Sequence, residues 1–451
     1  MQTTVAPTPH VRWRGLAITI ASLLAIGFAT LLPEPGQSMR QHSCLVCGSF
    51  GGVDAFLNVL LFLPLGIGLA LSGIAGRRAL LAVCGLSMVI ETAQFLVIPG
   101  RDSTLGDVIT NTIGGALGFG LVRYSLILLR PTPRIATILT IGWSATWLSI
   151  QSISSYGFAP SLPDSRYYGQ IARAIGKLAL FEGRVISARV DDVAIPNWAF
   201  ADSRPIRRAL LNGAPVVAMV IAAGPTRGMA PIVRVADAEQ REIVVLAQQQ
   251  RNLLFGIRTG ADVLRLRRPM FALRNAFPSG DVDDGPIATD VLRLSGRYFA
   301  GEVTMSAQTA LATRHRREPV TTSLGWTMVL PFNWIIEGTH EEFVVSCIWT
   351  ASWLIPFGYW AGRMAADSTA AGIARHWRLV FLVLLPVAVG LIMIPRAFGL
   401  PAASLSEWLC GLAGLIVGGA LATRVTGGNE SHQPRSSVAA RPAAATSPEA
   451  G

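Results

Sequence analysis

Long apolar runs alternate with short polar turns over the first 152 residues, give way to short alternating stretches from about 160 to 325, and return from 341 onward. Runs of roughly 17 to 25 apolar residues suit helices that cross about 30 Å of hydrocarbon. Eight such segments are predicted, at 15–32, 54–72, 79–97, 107–129, 135–152, 341–361, 379–396 and 405–423. The middle region lacks helical periodicity. Its runs RVISARV, APVVAMVIAA, APIVRVAD, REIVVLA, LLFGIRT, DVLRLRR and GEVTMSA are bounded by Gly, Pro, Asn and Asp, the spacing of a β-sandwich. At roughly 165 residues it can bury its own core. The pattern predicts a polytopic α-helical membrane protein with an inserted all-β sandwich. Its divisions are an N-terminal segment (1–14), a four-helix membrane unit (15–130), a fifth helix (135–152), the sandwich (160–325), three further helices (341–423) and a tail (425–451). The tail has no apolar periodicity and is expected to be disordered.

Composition agrees with the membrane assignment. Of 451 residues, 51% are hydrophobic and 14% charged, against about 25% charged in soluble domains. The charge is uneven: Asp164 to Glu318 holds 22 of the 38 Lys and Arg and 15 of the 27 Asp and Glu, a local net of +7. That segment is therefore the water-soluble one, and its charge would favour an anionic partner. The overall net of +11 raises nucleic acid as a ligand. No Lys/Arg run is interleaved with aromatic platforms, so no nucleic acid is expected.

Arg12, Arg14, Arg77, Arg78, Arg123, Arg130, Arg134, Arg363, Arg375, Arg378 and Arg424 all fall on one side of the predicted spans, which the positive-inside rule assigns to the cytoplasm. The sandwich is then outside. The first segment also has the basic, apolar and small-residue order of a signal peptide, ending near Gly27 and Ala29. It is read as a retained helix that partners those after it.

Polar residues punctuate three of these spans. Asp54 and Asn58 are spaced i and i+4, Glu91 and Gln94 i and i+3, and Asp107 and Asn111 i and i+4, so each pair shares one helix face. All six lie near the outer surface, and Arg101, Asp102, Ser103 and Thr104 in the linking turn can close over them. Hydrogen bonding between helices accounts for Asn58, Gln94 and Asn111, and N-capping is a candidate role for Asp54 and Asp107. Glu91, about 9 Å inside its helix end, must be paired or protonated. Arg101 is its nearest plausible partner.

Residues 51–118, with GGVDAFLNVLLFLPLGIGLAL followed by ETAQFLVIPGRDSTLGDVITNTIGGALG, resemble the VanZ-like family of bacterial membrane proteins. The matching positions are Asp54, Asn58, Pro64, Gly66, Glu91, Gln94, Arg101, Asp107, Asn111, Gly114 and Gly118, within about the first 130 residues. The resemblance implies a bacterial cytoplasmic (inner) membrane protein, and a link to resistance against lipid-bearing glycopeptides such as teicoplanin. It makes Asp54, Asn58, Glu91, Gln94, Arg101, Asp107 and Asn111 candidate ligand-binding residues for an amphiphilic, lipid-linked or glycan-bearing molecule on the outer face of the bilayer. An enzyme acting on a lipid-linked substrate, with Glu91 as base and Asp107 as acid, and a purely structural scaffold are the alternatives. No cofactor is expected.

A shift of 300 sets Leu105, Asp107, Gly114 and Gly118 against Leu405, Glu407, Gly414 and Gly418, while Pro99 has a counterpart in Pro395. A 4+4 parallel repeat is predicted, with Val387 and Gly390 where the first copy has Glu91 and Gln94. The sandwich falls in the first outer loop of the second copy, and its segment DVLRLRRPMFALRN, read as a strand, resembles concanavalin A-like, laminin G-like domains.

Other motifs point elsewhere or nowhere. Cys44 and Cys47 in the first outer loop are candidates for a local disulfide. Cys84, Cys347 and Cys410 lie in spans and are expected to stay reduced. The scattered His residues give no metal spacing, so no metal site is expected. Asp281, Asp283 and Asp284 could hold calcium, with a plain polar turn as the alternative. Glu337, His340, Glu341 and Glu342 read as a connector at the membrane surface rather than an acid–base pair.

Overall fold

The computed structural model describes residues 8–32, 48–98, 103–176, 178–222, 224–277, 291–365 and 380–427. Cys44, Cys47, Arg101, Asp102, the Asp281–Asp284 loop and most of the 425–451 tail lie outside them.

The first membrane unit comprises α1 (Pro9–Leu31), α2 (Gly51–Leu71), α3 (Gly76–Leu96) and α4 (Leu105–Arg123), with a short α5 (Ser125–Leu129) after it. The second comprises α6 (Pro133–Phe158), α9 (His340–Ala365), α10 (Val380–Ala397) and α11 (Leu405–Gly427). Seven of these are long and apolar enough to cross a membrane. The eighth predicted span, α6, is long enough at 26 residues but carries Ser, Thr, Gln and Trp. Those groups bond its neighbours: Trp143 Nε1 donates to Trp353 O (2.8 Å), Trp147 Nε1 to Pro386 O (3.1 Å) and Ser144 Oγ to Leu382 O (3.3 Å). Polarity in α6 thus serves helix packing.

Within α10, π-helical turns (Val380–Leu384 and Val389–Met393) stand just before the Pro386 and Pro395 turns. A proline ring crowds the preceding turn and removes an N–H, and the wider π turn relieves that crowding. Gly390 lies against α6, where an added Cβ would be 2.3 Å from Trp147 Nε1.

The repeat is visible in how helices touch. An added Cβ on Gly114 would lie 2.3 Å from Val59 O and on Gly118 2.0 Å from Leu63 O; on Gly414 it would lie 2.4 Å from Ala351 O and on Gly418 2.1 Å from Ile355 O. Pro64 and Gly66 in α2 have counterparts in Pro356 and Gly358 of α9, and each of these glycines abuts a backbone carbonyl, Gly115 O or Leu415 O. Small residues let these backbones approach closely. The units meet where Tyr359 Oη and Trp360 Nε1 donate to Leu129 O and Leu128 O, carbonyls left open at the end of α5.

Close packing of α9 and α11 also overturns an expectation. Cys347 and Cys410 have Cα atoms 5.2 Å apart and form a disulfide, because the glycine stripe brings the two helices within bonding reach. Sequence spacing of 63 gave no hint of it. Peptides bearing Cys347 and Cys410 are expected to travel as one species in a non-reducing digest, separating after reduction; two free, alkylatable thiols would contradict the pairing.

Among the described residues the β domain has two six-stranded sheets. One contains β1 (Tyr168–Ile171), β5 (Thr226–Ala236), β6 (Glu242–Gln250), β7 (Asn252–Ile257), β8 (Met270–Leu273) and β12 (Ile335–Ile336), in that order. The other runs β11 (Thr313–Pro319), β10 (Glu302–Gln308), β9 (Leu292–Phe299), β4 (Val216–Ile221), β2 (Arg184–Val190), β3 (Val193–Ala194). Two short helices, α7 (Arg204–Leu211) and α8 (Gly260–Val263), interrupt the strands. Inward residues such as Phe255, Phe271, Leu294 and Met305 form the core, which also takes in Val53 from α2 and Phe158 from α6.

The segment 262–268 is not the strand it was expected to be. It forms the end of α8 and a loop before β8, and that loop holds the domain to the membrane unit. The carbonyl of Arg265, at φ +54°, accepts from Gly52 N (3.1 Å) and Val53 N (3.4 Å), and the Arg267 guanidinium lies 3.7 Å over the Phe50 ring. Phe50, the N-cap of α2, offers no side-chain acceptor; the β domain supplies it through a residue in an unusual left-handed conformation. At a further contact, with α6, Tyr298 Oη donates to Phe158 O (2.8 Å).

Candidate functional site

The turn before α4 organises the polar cluster. Thr104 is the N-cap: its Oγ1 accepts from Asp107 N (3.0 Å) and donates to Asp107 Oδ2 (2.9 Å). Asp107 is therefore the third residue of α4 rather than its cap, and Asp54 stands in the first turn of α2 without capping it. The other Asp107 oxygen, Oδ1, accepts from Asn58 Nδ2 (2.6 Å). Thr104 N donates to Glu91 Oε2 (2.8 Å). A continuous chain Asn58–Asp107–Thr104–Glu91 thus joins α2, α4 and α3 at the end of the unit next to the β domain.

Spacing along α3 sets the rest. Ser87, Ile90, Glu91 and Gln94 form its buried face, as positions three and four apart must. Asn111 donates through Nδ2 to Ser87 Oγ (2.9 Å) one turn deeper, and its Oδ1 is buried without a partner among the described residues. Gln94 turns away from the chain and donates to Thr30 O of α1 (2.9 Å). Asp54 is exposed at the α2 end held by the β domain, and it too is engaged. The structure thus brings Asn58, Glu91 and Asp107 into one chain with Thr104, places Asn111 beneath, and sends Gln94 to α1. Ser87 was not foreseen, although its position four residues before Glu91 on the same face was a usable signal.

The second unit explains why Glu91 is engaged at all. There Ser404 stands where Thr104 does, and Glu407 where Asp107 does. Glu407, one carbon longer, reaches back to Ser404 N (2.6 Å) and Ser404 Oγ (3.0 Å), closing a capping box within its own helix. Both Asp107 oxygens are taken, by Asn58 Nδ2 and the Thr104 hydroxyl, which leaves the Thr104 N–H for Glu91. Where Glu91 would stand, the second unit has Val387, in the buried cluster with Trp147 and Leu391.

Glu342 is also buried, but its two oxygens accept from Trp334 Nε1, Glu337 N, Gly338 N and Thr339 N. It caps α9, in keeping with a connector at that point.

Residues 11–129, about a quarter of the chain, match the VanZ/LLP1 family model. Neither curated proteins nor solved structures give a match. The matched segment contains α1 to α5 and every member of the Asn58–Asp107–Thr104–Glu91 chain. The first membrane unit is VanZ-like, within a multi-span membrane protein that has a separate β domain in the rest of its chain.

Proposed function

We propose that the first membrane unit binds the polar headgroup of an amphiphilic, lipid-linked or glycan-bearing molecule at the outer leaflet of the bacterial cytoplasmic membrane. The β domain then stands outside the cytoplasm, and the protein acts without catalysis. Glu91 carries this reading: it is a buried carboxylate in a membrane-spanning helix, held only by groups of the turn before α4, Thr104 N and the Ser103 hydroxyl, among the described residues. An intramembrane acid lining a polar cluster marks a ligand path more often than packing. Asn111 Oδ1 beneath it is a buried acceptor without a partner among the described residues. Arg101 would meet an anionic part of the headgroup, and Asp54 and Asn58 would close the α2 side. Both Asp107 oxygens are engaged, which favours an orienting role for it over that of a catalytic acid.

The resemblance to lipoglycopeptide-resistance proteins sets the test. In a teicoplanin-susceptible bacterium, the wild-type protein is expected to raise the inhibitory concentration of teicoplanin while Glu91→Gln, equally abundant in the membrane, does not. Protection kept in full by Glu91→Gln, or none from the wild type, sinks the reading. A reporter fused after Arg130 is expected to score as cytoplasmic.

A further inference from the structure

One face of the β domain is built for anions. Along β9, Leu292, Leu294, Gly296 and Tyr298 point into the core, so Arg293, Ser295, Arg297 and Phe299 point out. Register carries that outward face across the sheet. Arg297 pairs with Thr304 and that with Arg317; Ser295 pairs with Ser306 and that with His315; on the other side Ser295 pairs with Val217 and that with Arg189. Arg189, Arg293, Arg297, His315 and Arg317 are all exposed. Glu302, paired with Arg317 at 2.6 Å, is the single acid among the described outward positions of β2, β4, β9, β10 and β11. Arg189, Arg293 and Arg297 form no ion pair among the described residues, and Arg297 lies over the Phe299 ring at 5.2 Å.

The geometry selects the shape of the partner. Strands two apart put Arg189 and Arg317 each about 10 Å to either side of β9, and Arg293 stands about 13 Å along β9 from Arg297. The Phe299–Glu302 turn abuts Leu400 and Pro401 between α10 and α11, so Arg297 stands close to that contact and Arg293 about 13 Å further along the strand. A flat bilayer cannot meet them together, whereas an extended chain lying across the face can. Guanidinium groups suit phosphate by their paired donors. Phe299 and His315 are the aromatic rings among these outward positions and stand two strands apart, which leaves no row of rings for stacking bases.

We propose that this face binds a linear phosphate-bearing polymer of the polyol-phosphate type, with Arg189, Arg293, Arg297 and Arg317 engaging phosphates along it. The site is separate from the membrane cluster and does not depend on the reading of Glu91. It is tested with the full-length protein in phosphatidylcholine nanodiscs, using poly(glycerol phosphate) as probe and polyadenylate and dextran as comparisons. The triple variant Arg189→Gln, Arg293→Gln, Arg297→Gln is expected to bind poly(glycerol phosphate) about thirty-fold more weakly. A control of equal charge loss at exposed positions off this face, Arg173→Gln, Arg208→Gln, Arg227→Gln, stays within about twofold of the wild type, less than one such charge contact contributes. Glu91→Gln binds the polymer as the wild type does. Equal losses in the two triple variants, tighter binding of polyadenylate than of poly(glycerol phosphate), or no binding by the wild type overturns the proposal.

Discussion

Leucine in place of Gly118 is expected to force α2 and α4 apart and to destabilise the first membrane unit by about 3 kcal/mol or more. An added Cβ there falls 2.0 Å from Leu63 O and 3.0 Å from Ile67 N. Both atoms belong to a helix backbone, which cannot step aside as a side-chain tip could. Gly120, half a turn further along, meets only Tyr124 Cδ2 at 4.0 Å, so Gly120→Leu serves as control and gains helix propensity. Size-exclusion chromatography of heated, detergent-solubilised protein should show an early loss of the folded peak for Gly118→Leu and none for Gly120→Leu. Equal melting of the two would mean that α2 and α4 are not packed through this glycine.

Asp237→Ala should destabilise the β domain by about 3–5 kcal/mol, the scale on which breaking a buried ion pair acts. Asp237 is fully buried; it accepts from Arg241 N (2.8 Å), Arg241 Nε (3.0 Å) and Arg258 Nη1 (2.9 Å). Arg258 is nearly buried, its Nε already lacks a partner among the described residues, and removal of Asp237 leaves its charge uncompensated. Burial alone would raise the Asp237 carboxyl, but the hydrogen bonds from Arg241 and Arg258 outweigh it and hold the group below the usual carboxylate range. A depressed folded pKa stabilises the domain above the ordinary Asp value of about 4 and loses that contribution as pH falls through the folded value. The wild-type melting temperature should therefore drop below about pH 4, and Asp237→Ala should lack this part of the drop. A variant that melts like the wild type at pH 7 would contradict the assignment.

Much of the architecture was legible because it follows from period and length. The apolar runs at 54–72, 79–97 and 405–423 became α2, α3 and α11 within a few residues, and RVISARV, REIVVLA and GEVTMSA became β2, β6 and β10. Alternation in LRLSGRYF was equally readable, with Leu292, Leu294 and Tyr298 inward, yet β9 was not foreseen. The edge strand β11, TRHRREP, gave no signal for a physical reason. Its inward positions hold Arg314, Arg316 and Glu318 instead of apolar residues, and Arg316 is satisfied by Ala272 O, Ile336 O and Glu318. DVLRLRR misled in the opposite sense, since its alternation mimics a strand while Thr259 and Asp262 cap a helical turn and Arg268 bonds back to Asp262 and Glu242.

The candidate site was legible as a set of residues but not as a network. Helical spacing placed Glu91 with Gln94 on one face and Asp107 with Asn111 on another, and both placements hold. Spacing could not reveal that Gln94 serves α1, because that depends on where the Thr30 carbonyl ends up. Nor could it reveal that the Thr104 N–H is the link from α4 to Glu91, since that link depends on Asp107 being occupied by Asn58 and the Thr104 hydroxyl. The Cys347–Cys410 pairing is of the same kind: two residues with no local pattern, joined by the approach of helices that Gly414 and Gly418 permit.

The most direct measurement of the central claim is mass spectrometry of the amphiphile retained by full-length protein extracted gently into detergent, wild type beside Glu91→Gln. Glutamine keeps the size and the acceptor for Thr104 N while removing the charge. The wild type should retain one lipid-linked or glycolipid class enriched over the bulk membrane, and Glu91→Gln, with an unchanged melting temperature, should retain it at about a tenth or less, the scale of one charge-assisted contact. Equal retention by the two proteins, or bulk lipid alone on the wild type, would contradict a headgroup site built on Glu91.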